Sequence, residues 1–320
     1  MFDTMNKRYP PITTAEEISF GENEHSTLFI LGNGFDLNLK LPTSYKDFFE
    51  SDFFPFVRDA PDNHGLGRFI YGRGVVQKWY DLEHLLAEYG KSIHSLSEKE
   101  FEEDKNDYRR LVEGLTLYLS TIDYSTIDVD SIAARILKAA DGLLIPPRVY
   151  TFNYTAFDTI SSRLGISFGT ASHVHGSLEQ DNVVLGVGEY VKLGPLTSYL
   201  YKTSNINYDP GSFLTAIENY DTVIIFGLSL SQVDYPYFED FFKAIATKPI
   251  INTTKPYIRI FSYDERSRMA ILDNLRQMNS GLIKLKGYSD FDIIRTKDGM
   301  DAYKVDAVIQ RLSSQWEVDA

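Results

Sequence analysis

The chain has 320 residues, 43% of them hydrophobic, a formal net charge of -13 at pH 7 and no cysteine. These figures describe a folded protein with a sizeable core, and they exclude disulfides, a thiolate zinc centre and a cysteine nucleophile. The acidic balance argues against nucleic acid as a direct ligand, because phosphate backbones are held by many Lys and Arg side chains.

Residues 1–25 are polar, carry Pro10 and Pro11, and read as an N-terminal arm without the apolar stretch of a signal peptide. No apolar run approaches the roughly 20 residues of a membrane span, so the expected location is the cytoplasm and no membrane partner is expected. Thr27 to Leu31 is a short apolar run closed by Gly32, which fits a buried strand followed by a tight Gly32-Asn33-Gly34 loop. Thr43 or Ser44 is placed to cap a short helix through Phe49. Residues 55–74, rich in Gly and Pro, read as loop, and Val75 to Tyr89 as one amphipathic helix. Ser97 to Thr121 reads as a longer helix with a solvated, charged first half, and a third helix starts at Asp128 or Asp130.

Further strands are expected at Arg148–Phe152, His173–His175, Val183–Val187, Thr222–Phe226, Tyr257–Ser262 and Leu282–Lys286. Helical patterns follow several of them, at Ala156–Leu164, Tyr237–Ala246, Glu265–Met278 and Ala302–Gln315. Strand–helix alternation predicts a Rossmann-like α/β fold, a mainly parallel sheet with helices on both faces. The core takes residues 26–58 and 146–320, with a helical insertion over 59–145.

Open parallel sheets bind ligands beyond the carboxyl ends of their strands. The residues expected there are Gly32-Asn33-Gly34-Phe35-Asp36, Asn153-Tyr154-Thr155, His175-Gly176, Gly227-Leu228-Ser229 with Asp234, and Ser262-Tyr263. Glycines let backbone N–H groups approach a phosphate, although position 37, where the dinucleotide fingerprint has its third glycine, is Leu37. Asn153 fits either the cap of the next helix or a catalytic amide. His173 and His175 share a strand face and would suit a metal pair, yet no second ligand cluster accompanies them, so no metal is expected. Asp36 fits either a carboxylate in the first turn of a helix or a group that balances developing positive charge. Glu83 fits either the pocket or a solvated face.

The segments LFILGNGFDLNLKLPTSYKDF at 28–48, WYDLEHLL at 79–86, TFNYT at 151–155, HVHG at 173–176, VLGVGE at 184–189 and FGLSLSQVDYPYF at 226–238 resemble the abortive-infection AbiH family of bacterial antiphage proteins. That family in turn looks similar to the sirtuin-like NAD-binding superfamily. The resemblance implies NAD as substrate and hydrolysis to nicotinamide and ADP-ribose. It implies Asn153 and His175 as catalytic residues, and Asp36 is expected to act beside them, orienting the carboxamide or balancing developing positive charge. Gly32, Asn33, Gly34, Phe35, Gly227 and Ser229 would bind the NAD, with Gly32, Gly34 and Ser229 at its pyrophosphate and Ser262 and Tyr263 at the adenosine end by position alone. His175 would be a general base near neutral pH. The chain departs from sirtuins in lacking the four-cysteine zinc module and in having Thr155 two residues after Asn153 instead of Asp. Lysine deacetylation is therefore not expected. A brake on an NAD hydrolase would come from homo-oligomerisation or a partner defence subunit. Three other readings remain open at this point: a non-catalytic module sensing NAD or ADP-ribose, a metal-dependent hydrolase or nuclease using His173 and His175, and an interaction subunit.

Overall fold

The computed structural model describes residues 26–57, 60–77, 81–217, 220–247, 255–279 and 281–314. The expected arm at 1–25 lies outside them. Six strands form one sheet in which every pairing is parallel: β1 (Thr27–Leu31), β2 (Arg148–Thr151), β3 (Ser172–His173), β4 (Thr222–Phe226), β5 (Tyr257–Ser262) and β6 (Asp290–Arg295). Their order across the sheet is β3-β2-β1-β4-β5-β6. The chain therefore winds one way from β1 to β3 and the other way from β4 to β6, and the order reverses between β1 and β4. This is the doubly wound Rossmann-like arrangement, with its crevice at that reversal.

The central strands β1, TLFIL, and β4, TVIIF, are buried along their whole length, as continuous apolar runs in a sheet covered on both faces should be. Side chains alternate between two cores. Phe29 and Leu31 enter one cluster, whereas Leu28 and Ile30 enter the other.

The connections supply the helices. After β1 come α1 (Asn33–Asn38) and α2 (Tyr45–Phe49). Ser44 caps α2 in a reciprocal capping box with Asp47. Next are α3 (Gly65–Gln77), α4 (Leu82–Ser92), α5 (Glu98–Ser120) and α6 (Ile132–Ala140), with no strand among the described residues between β1 and β2. Later connections carry α7 (Phe157–Leu164), α8 (Gly211–Ala216), α9 (Tyr235–Thr247), α10 (Glu265–Asn279) and α11 (Ile283–Tyr288), and α12 (Ala302–Ser314) follows β6. α6 packs on α12 in the layer that covers the sheet.

Several sequence expectations are corrected. Residues 55–74 are not all loop, because α3 starts at Gly65. Gly65 and Gly67 serve close packing instead of breaking the helix. A Cβ on Gly65 would lie 2.7 Å from the Asp104 carboxylate, and one on Gly67 would lie 2.7 Å from the Phe56 ring. The same carboxylates cap the start of α3. Asp107 Oδ2 accepts from the His64 and Gly67 N–H groups at 2.9 and 2.8 Å, and Asp104 Oδ1 accepts from Leu66 at 3.0 Å. Val75 to Tyr89 is two helices, because Asp81 caps a new start by accepting from the His84 N–H at 3.0 Å. Ser131, not Asp128 or Asp130, caps α6. Val183 to Val187 is not a strand of the sheet and makes only a single bridge, Val187 to Tyr201. Leu282 to Lys286 falls within a helical turn, and the sixth strand is Asp290–Arg295, an edge strand whose charged residues hide the apolar signal.

Candidate active site

The loops after β1 and β4 meet at the point where the strand order reverses. Gly32 N–H donates to Phe226 O at 2.9 Å and Gly34 N–H to Gly227 O at 3.0 Å. A Cβ on Gly32 would lie 2.5 Å from the Leu228 side chain, and one on Gly34 would lie 2.7 Å from Gly227 Cα. Gly227 has φ +75°, and a Cβ there would overlap the Phe35 N–H. The three glycines thus let two loops touch, and the N–H groups of Gly32 and Gly34 are both spent on carbonyls at the end of β4. The expectation that these N–H groups cradle a pyrophosphate is corrected on that ground. The same contacts change the expected effect of a Gly32→Val substitution, which strikes the fold before it reaches any ligand. Gly227→Ala should cost about 3 kcal/mol or more, from backbone strain plus overlap with Phe35. A fall in the urea midpoint checks this, and an unchanged midpoint would mean that the two loops are not packed as described.

A cavity of about 540 Å³ opens beside this contact. Its walls are Asn33, Asp36, Thr43 to Lys46, Phe152 to Thr155, His175, Gly227 to Ser229, Ser231, Val233 and Asp234 from the core. Asp81 and Glu83 at the start of α4, with Leu115 and Leu119 of α5, close it from the insertion. The volume suits a small-molecule ligand.

At the floor lies Asp36, only 1% exposed. It sits in the first turn of α1, but its carboxylate is engaged elsewhere. Asn153 Nδ2 donates to Oδ1 at 2.9 Å and Thr155 Oγ1 to Oδ2 at 2.9 Å. Asn153 also donates to Gly32 O at 3.1 Å. It does not cap α7, which starts after Ala156 with no side-chain cap. Burial raises the Asp36 pKa to about 7, and the hydrogen bonds from Thr155 and Asn153 only partly oppose it. Thr155 thus supports a carboxylate delivered from β1's side of the crevice.

The opposite wall is built around His175, which lies beyond β3 and is 6% exposed. A turn holds it there. Gly176 takes φ +74°, where a Cβ would overlap the Asn182 carbonyl, and Val184 N–H donates to His175 O at 2.9 Å. Nε2 of His175 lies 3.1 Å from Tyr237 Oη and 3.2 Å from Lys202 Nζ. Lys202 is buried and pairs with Glu83 at 2.8 Å. Burial, reinforced by the Lys202 charge, holds the His175 pKa well below the usual histidine range. The expectation of a base with an ordinary histidine pKa is corrected: the imidazole is neutral at pH 7. Glu83 is a cavity residue and not a solvated one; burial raises its pKa against the pull of Lys202.

Asp234 is a second buried acid. Burial, with Glu83 nearby, raises its pKa to about 7, and it accepts from Ser231 N–H at 2.9 Å and from Ser229 Oγ at 3.3 Å. Asn33 reaches the cavity with its side chain accepting from Thr43 Oγ1 at 2.6 Å. Phe35 is core, stacked edge-on against Phe226. Ser262 and Tyr263 do not line this cavity. Ser262 is buried at the end of β5, and Tyr263 is 62% exposed beneath the Lys297 ammonium.

The two histidines do not pair. His173 Nδ1 is held 2.9 Å from Asn153 O, while His175 faces an ammonium. A cation beside Lys202 would be repelled. Among the described residues no group of three or more His, Asp or Glu side chains is placed to hold a metal ion.

Sequence reading placed Thr155 at the rim without a role, and it missed Lys202, Tyr237 and Tyr208 as site residues. Lys202 carries no local signal of its own, but the singled-out segment VLGVGE packs against it. Val187 exchanges hydrogen bonds with Leu200 O and Lys202 N–H, and a Cβ on Gly186 would lie 2.7 Å from Leu200 O. The segment is the seat of Lys202.

The fold and crevice place the chain in the class of Rossmann-like α/β proteins with a switch-point cavity. A family model described as bacteriophage abortive infection AbiH matches residues 28–255. The chain belongs to the AbiH family, whose role is abortive-infection defence against phage. No curated protein matches it. No helix among the described residues is long and apolar enough to cross a membrane.

Proposed function

We propose that the cavity hydrolyses the nicotinamide–ribose bond of NAD. The observation that carries this reading is the buried Asp36 carboxylate, oriented by Asn153 and Thr155 at the switch point. Nicotinamide in NAD is already cationic and leaves as a neutral molecule, so its departure needs no general acid. The bond from ribose C1′ to the ring nitrogen breaks with its electron pair going to nicotinamide. The sugar passes through an oxocarbenium-like state that an adjacent carboxylate stabilises. Water then bonds to C1′, and Asp36 accepts its proton. Asn153 fixes the carboxylate, and Leu115, Leu119 and Phe152 keep bulk water out. With acidic groups inside, the pyrophosphate is best accommodated toward exposed Lys46, Thr43 and Ser229 at the rim.

A base must be ionised to act. Nicotinamide release should therefore rise with pH through about 7, following the raised Asp36 pKa. A pH–rate profile of purified protein tests this. A profile flat from pH 5.5 to 8.5, or one governed by a group near pH 4, would remove Asp36 from the base role. Binding of NAD without any release would favour the sensing module instead.

A further inference from the structure

We propose that His175 serves this site as a neutral hydrogen-bond donor through Nδ1–H, with Lys202 as the positioning residue that fixes this tautomer by occupying Nε2. The inference rests on the NAD reading for its role in turnover, but not for the tautomer itself.

An ammonium has hydrogens and no lone pair. Lys202 Nζ, 3.2 Å from His175 Nε2, can only donate, so Nε2 must be the unprotonated nitrogen. Tyr237 Oη lies 3.1 Å from the same atom and is also hydrogen-bonded to Tyr208 Oη, so its hydroxyl proton can turn to either. Glu83 accepts from Lys202 Nζ at 2.8 Å. The neutral imidazole then carries its one proton on Nδ1, which has no hydrogen-bond partner among the described residues. His175 lines the cavity, so this N–H is the polar group it offers a ligand. A ribose hydroxyl or ring oxygen is the kind of acceptor it suits. Every charged or titratable side chain that faces the ring opposes its protonation or leaves it unchanged: Lys202 from the segment after Val187, Tyr237 from α9, and Tyr208. Glu83 of α4 is neutralised by Lys202, and Phe152 of β2 adds only an aromatic edge.

The test uses the full chain with ¹⁵N-labelled histidine, the His175 signals being identified by their loss in His175→Asn. Expected are an unprotonated Nε2 and a protonated Nδ1, with no titration between pH 5.5 and 8.5. A protonated Nε2, or a titration near pH 6.5, overturns the proposal. In Lys202→Met the His175 pKa should rise by about a unit or more. The double variant Lys202→Met with Glu83→Gln keeps the buried pair neutral if the single variant does not fold, and it should show the same rise. An unshifted pKa in the folded double variant also overturns it. Turnover supplies a separate arm. His175→Asn places an amide nitrogen where Nδ1 sits and should keep nicotinamide release within about tenfold of wild type, whereas His175→Ala should lose on the order of a hundredfold. Equal loss in both would return His175 to a base role. The expected tautomer in a protein that releases no nicotinamide rejects the NADase reading alone. Nicotinamide release from a protein with protonated Nε2 rejects the Lys202 role alone.

Discussion

Asp36→Asn should abolish NAD turnover, by on the order of a thousandfold, while making the protein more stable. Both effects follow from one carboxyl group. In the proposed reaction it accepts the proton and faces the oxocarbenium-like state, and a neutral amide can do neither. Its folded-state pKa is about 7, whereas an unfolded Asp titrates near roughly 3.9. Between those values the native state binds more protons than the unfolded chain, so stability falls as pH rises through this window. The wild type therefore carries a penalty on the order of 4 kcal/mol above pH 8. The variant keeps the local hydrogen bonds. Its amide oxygen accepts from Asn153, and the Thr155 hydroxyl turns to accept from the new NH₂ group. The stability gap between variant and wild type should thus grow by roughly 2 kcal/mol between pH 5.5 and 8.5. Urea midpoints at the two pH values measure it. A gap that is constant, or that shrinks with pH, would mean Asp36 is not held as described.

Asn153→Ala should reduce turnover on the order of a hundredfold and leave NAD affinity within a few-fold. Asn153 ties the Asp36 carboxylate to the Gly32 carbonyl. Its loss frees the carboxylate to rotate and removes one of the two hydrogen bonds that favour its ionised form. The pH–rate profile should consequently move to higher pH as well as lower amplitude. Asn153→Asp is the sharper case: a second acid 2.9 Å from the first leaves one of the pair protonated at neutral pH. His173→Ala acts at one remove. It deletes only the contact to the Asn153 carbonyl and should cost much less turnover. If His173→Ala is inactive while Asn153→Ala is not, the catalytic order of the strand ends is wrong.

The sequence carried the sheet because its central strands are apolar from end to end, and the carboxyl-end rule then pointed to Asp36, Asn153, His175 and Gly227. Edge elements were harder. β6 is charged at its solvent face, and Leu282–Lys286 is apolar at a spacing that a helical turn also satisfies. Glycine misled twice, and for one reason. At Gly65 and Gly67, and again at Gly32 and Gly34, its use is close packing against the chain's own atoms. Sequence spacing shows the glycine but not its neighbour. Lys202 was invisible because its meaning depends on Glu83 and His175, which are 119 and 27 residues away. The partners come together only once the insertion closes over the crevice.

The proposed function stands on cleavage of the nicotinamide–ribose bond in the Asp36 cavity. The most direct measurement is joint quantification of nicotinamide and ADP-ribose from NAD, with purified wild type and Asp36→Asn, each with and without lysate from phage-infected cells. The account predicts the two products in equal amounts from wild type under at least one of these conditions, and neither from Asp36→Asn under any. Equal turnover by the two proteins, or no product from wild type in either condition, would contradict it.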